Sequence, residues 1–140
     1  MIFTEWLEFE TAVGSVMNIT GDVSLAVLSS GLEAGIATIF VPGATGAVTT
    51  LEHEEGLVMD LRDALERLVP EEMEYAHNER WHDGNGHSHV SASLIGPSLT
   101  VPFSGHSLVL GVWQQIVFLE LDTRPRHRRV MVQILGEQEQ

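Results

Sequence analysis

Histidines concentrated in one short segment are the clearest sign of chemistry in this sequence. Four of the seven fall within thirteen residues: His77, His82, His87 and His89. If the end of this segment forms a strand, His87 and His89 point to the same face, and their imidazoles can meet at one ion. His77, from the preceding loop, then supplies a third nitrogen, and three neutral imidazoles plus water make an open zinc-like site. We therefore predict His77, His87 and His89 as ligands of a divalent metal, with zinc favoured.

Carboxylates near these histidines extend the candidate site. Asp83 and Glu79 are close enough in sequence to orient the imidazoles through hydrogen bonds. Asp83, or Glu52 upstream, is a candidate catalytic acid or base. The simpler interpretation is that the His-x-His sequence is ordinary surface polarity and that residues 83–86 form only a turn, since spacing without convergence is weak evidence.

The basic residues are also clustered. Arg124, Arg126, Arg128 and Arg129 are four of the seven cationic side chains, and all seven are arginines. A guanidinium group suits phosphate because it donates two parallel hydrogen bonds, so Arg128 is a candidate ligand of a phosphorylated substrate. The alternative is a hairpin turn whose arginines pair with acidic surface groups, which contributes little.

The composition excludes several classes of partner and ligand. Twenty acidic residues against seven arginines give a formal charge of −13, which disfavours nucleic acid and anionic membranes. A salt-rich cytosol explains the acidity more simply than cationic partners do, because screening weakens self-repulsion. The absence of cysteine excludes disulfides and thiolate ligands. With no signal-peptide pattern and no apolar run near the roughly 20 residues of a membrane span, we expect a cytoplasmic protein.

The elements that must position these residues are predicted to form one domain, residues 1–140, with many short strands. The predicted strands are residues 3–10, 35–41, 47–51, 90–95, 98–103, 107–110, 115–121 and 129–135. One helix is predicted from Thr20 to the Ser-Gly pair at 30–31. A second begins near Gly56, has apolar residues at spacings of three and four, and ends at Pro70. Little periodicity is present between Pro70 and Gly86.

Four motifs that follow one another give the sequence a family resemblance. They are residues 83–89, 93–98, 110–116 and 126–130, and the Leu-Gly-Val-Trp-Gln sequence at 110–114 is the most distinctive. Tyr75-x-His77 and the helix near Gly56 fit the same pattern, which runs from about Gly35 to Leu135. The sequence resembles the YjbQ-like family, also described as secondary thiamine-phosphate synthases.

The resemblance implies a compact α+β domain, a β-sandwich with two to three helices, that associates as a homotrimer. It implies a site near subunit boundaries formed by the family's histidines, and a metal, often zinc, in some members. His77 and His89 match family positions well, whereas His87 matches a more variable one. The implied activity joins a pyrimidine diphosphate to a thiazole phosphate, which makes thiamine phosphate.

The sequence departs from the family pattern at Gly43. Family members often carry His-Thr-Thr-Ala before a glutamate, whereas residues 43–46 here are Gly-Ala-Thr-Gly, with Glu52 at the acidic position. Thr45, Glu52 and Asp60 remain as candidate site residues, although a charged helix residue such as Asp60 usually faces water.

Further candidates come from the Trp-Gln motif and the histidine segment. Trp113 and Gln114 are placed to line a pocket, although a tryptophan at the start of a strand is as often a packing residue. The predicted substrate-binding residues are Thr45, Asn85, Trp113, Gln114 and Arg128.

Three functions are consistent with these patterns. The first is a metal-dependent enzyme acting on a phosphorylated small molecule, with thiamine-phosphate synthesis as the version that the resemblance implies. The second is a trimeric metal- or ligand-binding protein without catalysis, which the glycine at position 43 favours. The third is a structural trimer whose histidines only form hydrogen bonds across an interface.

Overall fold

Eight strands and four helices make up the chain, and the computed structural model describes all 140 residues. The strands are β1 (Ile2–Glu10), β2 (Val16–Asn18), β3 (Ala34–Phe40), β4 (Gly46–Leu51), β5 (Ser98–Ser104), β6 (Ser107–Leu108), β7 (Gln115–Glu120) and β8 (His127–Glu137). The helices are α1 (Thr20–Ser30), α2 (Glu55–Leu68), α3 (Ala76–Trp81) and α4 (Gly86–Ile95). The fold is therefore α+β, as predicted, with four helices instead of two to three.

The strands form two antiparallel sheets that share a core. The larger sheet has the order β1-β8-β3-β5-β6, and the smaller has the order β2-β7-β4. Sixteen buried apolar residues fill the space between the sheets and beneath α1. Alternation along each strand places them there: Val130, Val132 and Ile134 of β8 face Ile116 and Phe118 of β7 across this core.

The second face of the smaller sheet is buried as well. Val117 and Leu119 of β7 point away from the shared core and are still fully buried, because helices cover this side. Of these, α4 lies against β4. The result is a layered arrangement of large sheet, small sheet and helices.

The outer face of the larger sheet has no cover within the chain. In one row of paired residues, Ile36 lies between Leu135 and Pro102. In another, Met131 lies between Trp6 and Phe40. Ile36, Phe40 and Trp6 are 40%, 42% and 37% exposed. We refer to this surface, formed by Trp6, Ile36, Phe40, Pro102, Met131 and Leu135, as the outer sheet face.

The prediction of a strand at residues 90–95 is wrong, because this segment belongs to α4. Its alternating Val90 and Leu94 are exposed, and the helix instead buries small residues at helical spacing, namely Ser88, Ser91 and Ala92. A pattern search that scores only large apolar residues misses such a face. Residues 76–81, predicted to lack regular structure, form α3.

The other predicted elements are confirmed within a few residues, although β6 is shorter than predicted and β2 was not predicted. The helix from Thr20 ends at Gly31, whose φ of 71° is a conformation that glycine adopts without strain. Among the helices, none combines the length and the apolar character that crossing a bilayer would require.

Candidate active site in an arginine-lined pocket

A buried arginine lies at the end of the core. In β8, Arg128 shares a face with Val130 and Val132, so the strand's alternation points its side chain inward. In β7, Glu120 follows Phe118 on the inward face in the same way. Arg128 Nε donates to Glu120 Oε1 at 2.8 Å, and Nη2 donates to Oε2 at 2.5 Å. The two-point pairing compensates both charges for the loss of water.

A second carboxylate extends this network towards the surface. Thr45 Oγ1 accepts a hydrogen bond from Arg128 Nη2 and donates one to Asp122 Oδ2, both at 3.0 Å. Arg126 Nη1 donates to the same oxygen at 2.7 Å. Burial by itself would raise the pKa of Asp122, but hydrogen bonds from the Thr123 backbone, Thr45 and Asn85, with the charge of Arg126, lower it below the ordinary value. Asp122 is therefore charged at neutral pH.

These groups form one wall of the largest pocket. Its volume is about 510 Å³, and we refer to it as the arginine pocket. It lies between the β3–β4 loop, the start of β8 and the start of α4. Eight of its twelve lining residues have polar or charged side chains, and the lining residues that the argument uses are Gly43, Thr45, Asn85, His89, Asp122, Arg126 and Arg128. This lining suits a polar, negatively charged ligand more than an apolar one.

The environment of Gly43 leaves one guanidinium nitrogen free for a ligand. Arg128 binds Glu120 and Thr45 through Nε and Nη2, and Nη1 takes no part in these bonds. A Cβ atom at position 43 would lie 3.2 Å from that Nη1, closer than an ordinary contact. The glycine therefore keeps the space in front of Nη1 open.

Helix α4 brings Asn85 and His89 to the opposite wall. Its first residue, Gly86, lies so close to Tyr75 that an added Cβ would be 2.6 Å from the tyrosine Cβ. Gly86 N also donates to Asn78 Oδ1 at 2.8 Å, which fixes the start of the helix. Asn85 lies between two carboxylates: its nitrogen is 3.5 Å from Asp122 Oδ1, and rotating the amide places it 2.9 Å from Asp83 Oδ1.

Two of the three predicted metal ligands lie side by side. The rings of His77 and His89 have centroids 4.4 Å apart and are tilted by 39°. His77 Nδ1 is 3.3 Å from Asp83 Oδ1, although the contact lacks hydrogen-bond geometry and this buried nitrogen has no other partner. Asp83 therefore lies beside an imidazole, where the sequence placed it.

His87 does not join the other two imidazoles within one chain. The expected shared face required a strand, but residues two apart on a helix point about 200° apart. His87 instead lines a separate cavity of about 180 Å³ together with Arg62 and Glu66 of α2. The three-imidazole site predicted for a single chain is thus not assembled.

One cluster elsewhere has the spacing of metal ligands. Glu33, His106 and Glu139 place one ligand atom each within 4.8 Å of one another. His106 Nδ1 is 2.9 Å from the carbonyl oxygen of Leu32, and Nε2 is 3.1 Å from Glu33 Oε2. None of the predicted ligands belongs to this cluster, so metal binding at the histidine segment stays a prediction.

The predicted site residues separate into two groups. Thr45, Asn85 and Arg128 line the arginine pocket, and Asp83 lies next to it. Glu52, Asp60, Trp113 and Gln114 do not line it. Gln114 Nε2 donates to Thr50 Oγ1 at 3.0 Å, at the far end of β4. Within one chain, Glu52 and Gln114 lie at the opposite end of β4 from Thr45 and do not reach the ligand that Arg128 would bind.

Glu120 and Asp122 were absent from the predicted site. A signal for Glu120 was present, because alternation in the predicted strand at 115–121 puts it on the same face as Ile116 and Phe118. A charged residue at an inward position needs a partner of opposite charge. The sequence could not show which arginine supplies it, because β7 and β8 belong to different sheets.

Comparison with known proteins places this architecture in a recognised group. A model of the family described as UPF0047 protein YjbQ-like matches residues 5–137. A UPF0047 protein of Methanothermobacter thermautotrophicus is 39% identical over 137 residues, which cover 97% of this chain and 94% of that protein. A UPF0047 protein of Archaeoglobus fulgidus is 38% identical over 120 residues, covering 86% and 90%.

Solved structures agree with these sequence matches. A YbjQ-like protein of unknown function from Sulfolobus solfataricus superposes with a TM-score of 0.88 at 31% identity, covering 98% of this chain and 100% of that one. An uncharacterized conserved protein of the YjbQ/UPF0047 family from Clostridium acetobutylicum gives a TM-score of 0.82 at 33% identity, covering 92% and 99%.

Proposed function

The chain belongs to the UPF0047 family of YjbQ-like proteins, and on this basis we propose that it binds and transforms a phosphorylated small molecule in the arginine pocket. The observation that carries the proposal is the position of Arg128. Its guanidinium is 7% exposed, is held by Glu120 and Thr45, and keeps Nη1 directed to the open space at Gly43. A fixed donor of this kind binds phosphate oxygens with little loss of side-chain freedom.

Other groups around the pocket favour the same ligand. Arg126, His127 and Arg129 also line it, and α4 begins at its wall. The start of a helix adds partial positive charge, which favours anions. Arg126, His127 and Arg129 are paired with Asp122, Glu10 and Glu8, so the proposal relies on the open Nη1 of Arg128 as the donor to a phosphate.

The chemistry that fits the pocket is the displacement of diphosphate. When a thiazole-type nitrogen attacks the carbon that bears the diphosphate, the carbon–oxygen bond breaks and its electron pair leaves with the diphosphate. The guanidinium groups stabilise this developing charge. His89, on the opposite wall with the His77 ring packed beside it, is placed to give a proton to the leaving diphosphate. Thiamine-phosphate formation is the version that the sequence resemblance implies.

The proposed steps use no metal, because His77, His87 and His89 do not meet at one point within a chain. His77, His89 and Asp83 remain candidates to hold a divalent ion such as zinc, which would then polarise a phosphoryl oxygen. Elemental analysis of protein prepared without a histidine tag tests this point directly. A stoichiometric metal that His89→Ala removes would add the ion to the site.

A non-catalytic ligand-binding role is the second candidate, and Gly43 favours it. The resemblance places a histidine at this position, and here the position has no side chain. A pocket that has lost one proton-transfer group but kept its arginines would still bind the phosphorylated molecule.

We also propose that the chain associates as a homotrimer, since the outer sheet face leaves apolar side chains exposed.

Pyrophosphate binding measured by titration calorimetry tests the pocket. We expect binding to the wild-type protein and a loss of about tenfold or more in Arg128→Lys, because a compact ammonium group cannot replace the planar guanidinium that binds Glu120 and Thr45 and still presents Nη1 to the pocket. Gly43→Ala should also weaken binding, since its Cβ crowds Nη1 without removing any hydrogen bond. Arg124→Lys is the control, because Arg124 is exposed and does not line the pocket.

Turnover separates the two candidates. Formation of thiamine phosphate from the pyrimidine diphosphate and the thiazole phosphate, abolished by His89→Ala, supports the enzyme. Pyrophosphate binding without product supports the binding protein. A wild-type protein that binds no pyrophosphate, or Arg128 and Arg124 variants that bind alike, would overturn both.

A further inference from the structure

We propose that Glu33, His106 and Glu139 bind one divalent transition-metal ion, with zinc as the best match, at one end of the larger sheet. We refer to these three residues as the sheet-end cluster. Strand β8 begins at His127, which lines the arginine pocket, and ends at Glu137 beside the cluster. Ten residue steps of a strand span roughly 33 Å, so the cluster lies far from that pocket and does not depend on the proposed function.

Backbone hydrogen bonds bring the ligands together from segments that are far apart in the chain. Glu33 lies just before β3, and its backbone N donates to Glu137 O at 2.7 Å, which holds the end of β8 next to it. His106 lies in the turn between β5 and β6, and its backbone N donates to Glu33 O at 3.0 Å. Glu139 follows β8 by two residues. The main chain therefore fixes the positions of Glu33 and His106, and Glu139 comes from the exposed segment beside them.

The imidazole of His106 has the orientation of a metal ligand. Its Nδ1 lies 2.9 Å from the carbonyl oxygen of Leu32, a fully buried residue outside the cluster. A carbonyl oxygen only accepts hydrogen bonds, so Nδ1 carries the hydrogen and the lone pair of the neutral ring is at Nε2. Histidines that bind metals commonly donate from their other nitrogen to a backbone carbonyl in this way. The contact with Leu32 thus directs the ligating nitrogen towards the carboxylates.

Three acceptors that face one another need a cation between them. Nε2 of the neutral ring and Glu33 Oε2 are both acceptors, and they are 3.1 Å apart. Glu139 adds a third, and the three ligand atoms lie within 4.8 Å of one another. No arginine forms an ion pair with either glutamate, because the paired arginines bind other carboxylates. A proton on Nε2 would satisfy one contact, whereas a divalent ion satisfies all three acceptors.

The distances and the ligand types suit zinc. Zinc binds imidazole nitrogen and carboxylate oxygen at roughly 2.0–2.2 Å, which puts two ligand atoms of a tetrahedron roughly 3.3–3.6 Å apart. Nε2 and Glu33 Oε2 are already close to that separation. Glu139 is exposed and lies outside the strands, so its side chain is free to rotate towards the ion. An imidazole ligand favours zinc over magnesium or calcium, which prefer oxygen ligands alone.

The turn that carries His106 offers a clean substitution. Ser104 pairs with Ser107, so Gly105 and His106 form a two-residue hairpin turn, and their φ angles are 60° and 61°. Asparagine is among the residues that this turn conformation favours. His106→Asn should therefore keep the turn while it removes the imidazole.

Zinc titration by calorimetry of metal-free protein, made without a histidine tag, tests the site. We expect the wild-type and His89→Ala chains both to bind zinc here, because His89 lies at the arginine pocket. His106→Asn and Glu139→Gln should each weaken this binding about tenfold or more, since even the loss of a hydrogen bond to a ligand costs about 10–100-fold. Zinc should also raise the urea-unfolding midpoint of the wild-type protein, because the three ligands meet only in the folded chain.

The controls make the same chemical changes outside the cluster. His53 lies between glutamates in the sequence but belongs to no group with ligand spacing, so His53→Asn should bind zinc like the wild-type protein. Glu137→Gln removes the same charge two residues before Glu139. Equal losses in Glu137→Gln and Glu139→Gln would mean diffuse attraction to acidic surface, which overturns the proposal. A wild-type protein that binds no zinc also overturns it, and leaves His106 as a protonated partner of Glu33.

Further outcomes separate this site from the others. His106→Asn should lose zinc and keep its pyrophosphate affinity, because the two sites lie at opposite ends of β8. A zinc ion that His89→Ala removes and Glu139→Gln retains belongs to the histidine segment and refutes the sheet-end cluster. Should His106→Asn fail to fold, Glu139→Gln decides alone, because it alters an exposed residue outside every strand and helix.

Discussion

Buried charge at the end of a core gives the arginine pocket its character. Strand alternation alone would continue the apolar series of β7 and β8, but Glu120 and Arg128 take the last inward positions. The pair is costly to bury and is held by further hydrogen bonds, since Thr11 Oγ1 donates to Glu120 and Thr45 Oγ1 accepts from Arg128. Such a pair adds little net stability, so its value lies in fixing a guanidinium where a ligand can reach it.

The lowered pKa of Asp122 predicts how stability depends on acid. A carboxylate whose pKa is lower in the folded state stabilises the fold above its unfolded pKa of about 3.9 and loses this contribution as pH falls through the folded value. We therefore expect the urea-unfolding free energy to fall below about pH 4. Asp122→Asn should remove part of that slope and cost about 1.5–3 kcal/mol at pH 7, the range for hydrogen bonds to a charged group.

Asp63→Asn is the matched control for this measurement, because Asp63 is exposed on α2. Its substitution should leave both the free energy at pH 7 and the acid slope almost unchanged. Equal slopes in the wild-type protein and Asp122→Asn would show that Asp122 does not contribute to the acid sensitivity.

At the scale of elements, α4 decides the geometry of the site and is also where sequence reasoning failed. The strands and the two longer helices were predictable because large apolar residues repeat with period two or 3.6. Helix α4 buries Ser88, Ser91 and Ala92, whose small side chains give little such signal. Assigning it as a strand placed His87 beside His89 and produced a three-imidazole site that one chain does not contain.

The residues of the pocket were partly predictable for a related reason. Thr45, Asn85 and Arg128 were identified from the sequence, and the structure brings them together. Glu120 and Asp122 were missed although their arginine partners, Arg128 and Arg126, are only eight and four residues away, because the sequence does not show which side chains meet. Local patterns give the direction of a side chain, whereas the contact between Glu120 on one sheet and Arg128 on the other depends on how the two sheets pack.

Close packing of α4 against Tyr75 predicts a strong effect at Gly86. An added Cβ would lie 2.6 Å from the Tyr75 Cβ, so Gly86→Ala must displace the start of α4 or the residues before α3. We expect a loss of about 1–3 kcal/mol in urea unfolding, as is usual for overpacking. Pyrophosphate affinity should fall as well, because Asn85 and His89 move with the helix.

Gly21→Ala provides the comparison, since a Cβ at that position meets nothing within 4 Å and the residue lies in α1. This substitution should be neutral or slightly stabilising, because alanine favours helix. If both alanine variants behave alike, the close approach of Tyr75 does not constrain α4.

The whole molecule combines an acidic surface with one apolar face. The formal charge of −13 makes copies repel one another, and yet the outer sheet face exposes Trp6, Ile36 and Phe40. A polar row of Thr4, Gln133, Thr38 and Thr100 separates the two apolar rows, so this face is a candidate contact surface and not one continuous apolar patch.

Ile36→Asp tests whether this face holds the trimer together. In a single chain the side chain is 40% exposed, so a carboxylate there keeps contact with water and should change folding little. In an assembly the same carboxylate would be buried against apolar groups without a partner, at a cost of several kcal/mol. Light scattering should therefore give three times the 15.4 kDa chain mass for the wild-type protein and a single chain mass for Ile36→Asp.

Ile36→Leu keeps the apolar surface and should remain trimeric. A wild-type protein of single-chain mass would refute the homotrimer, whereas an Ile36→Asp trimer would place the interface on another surface.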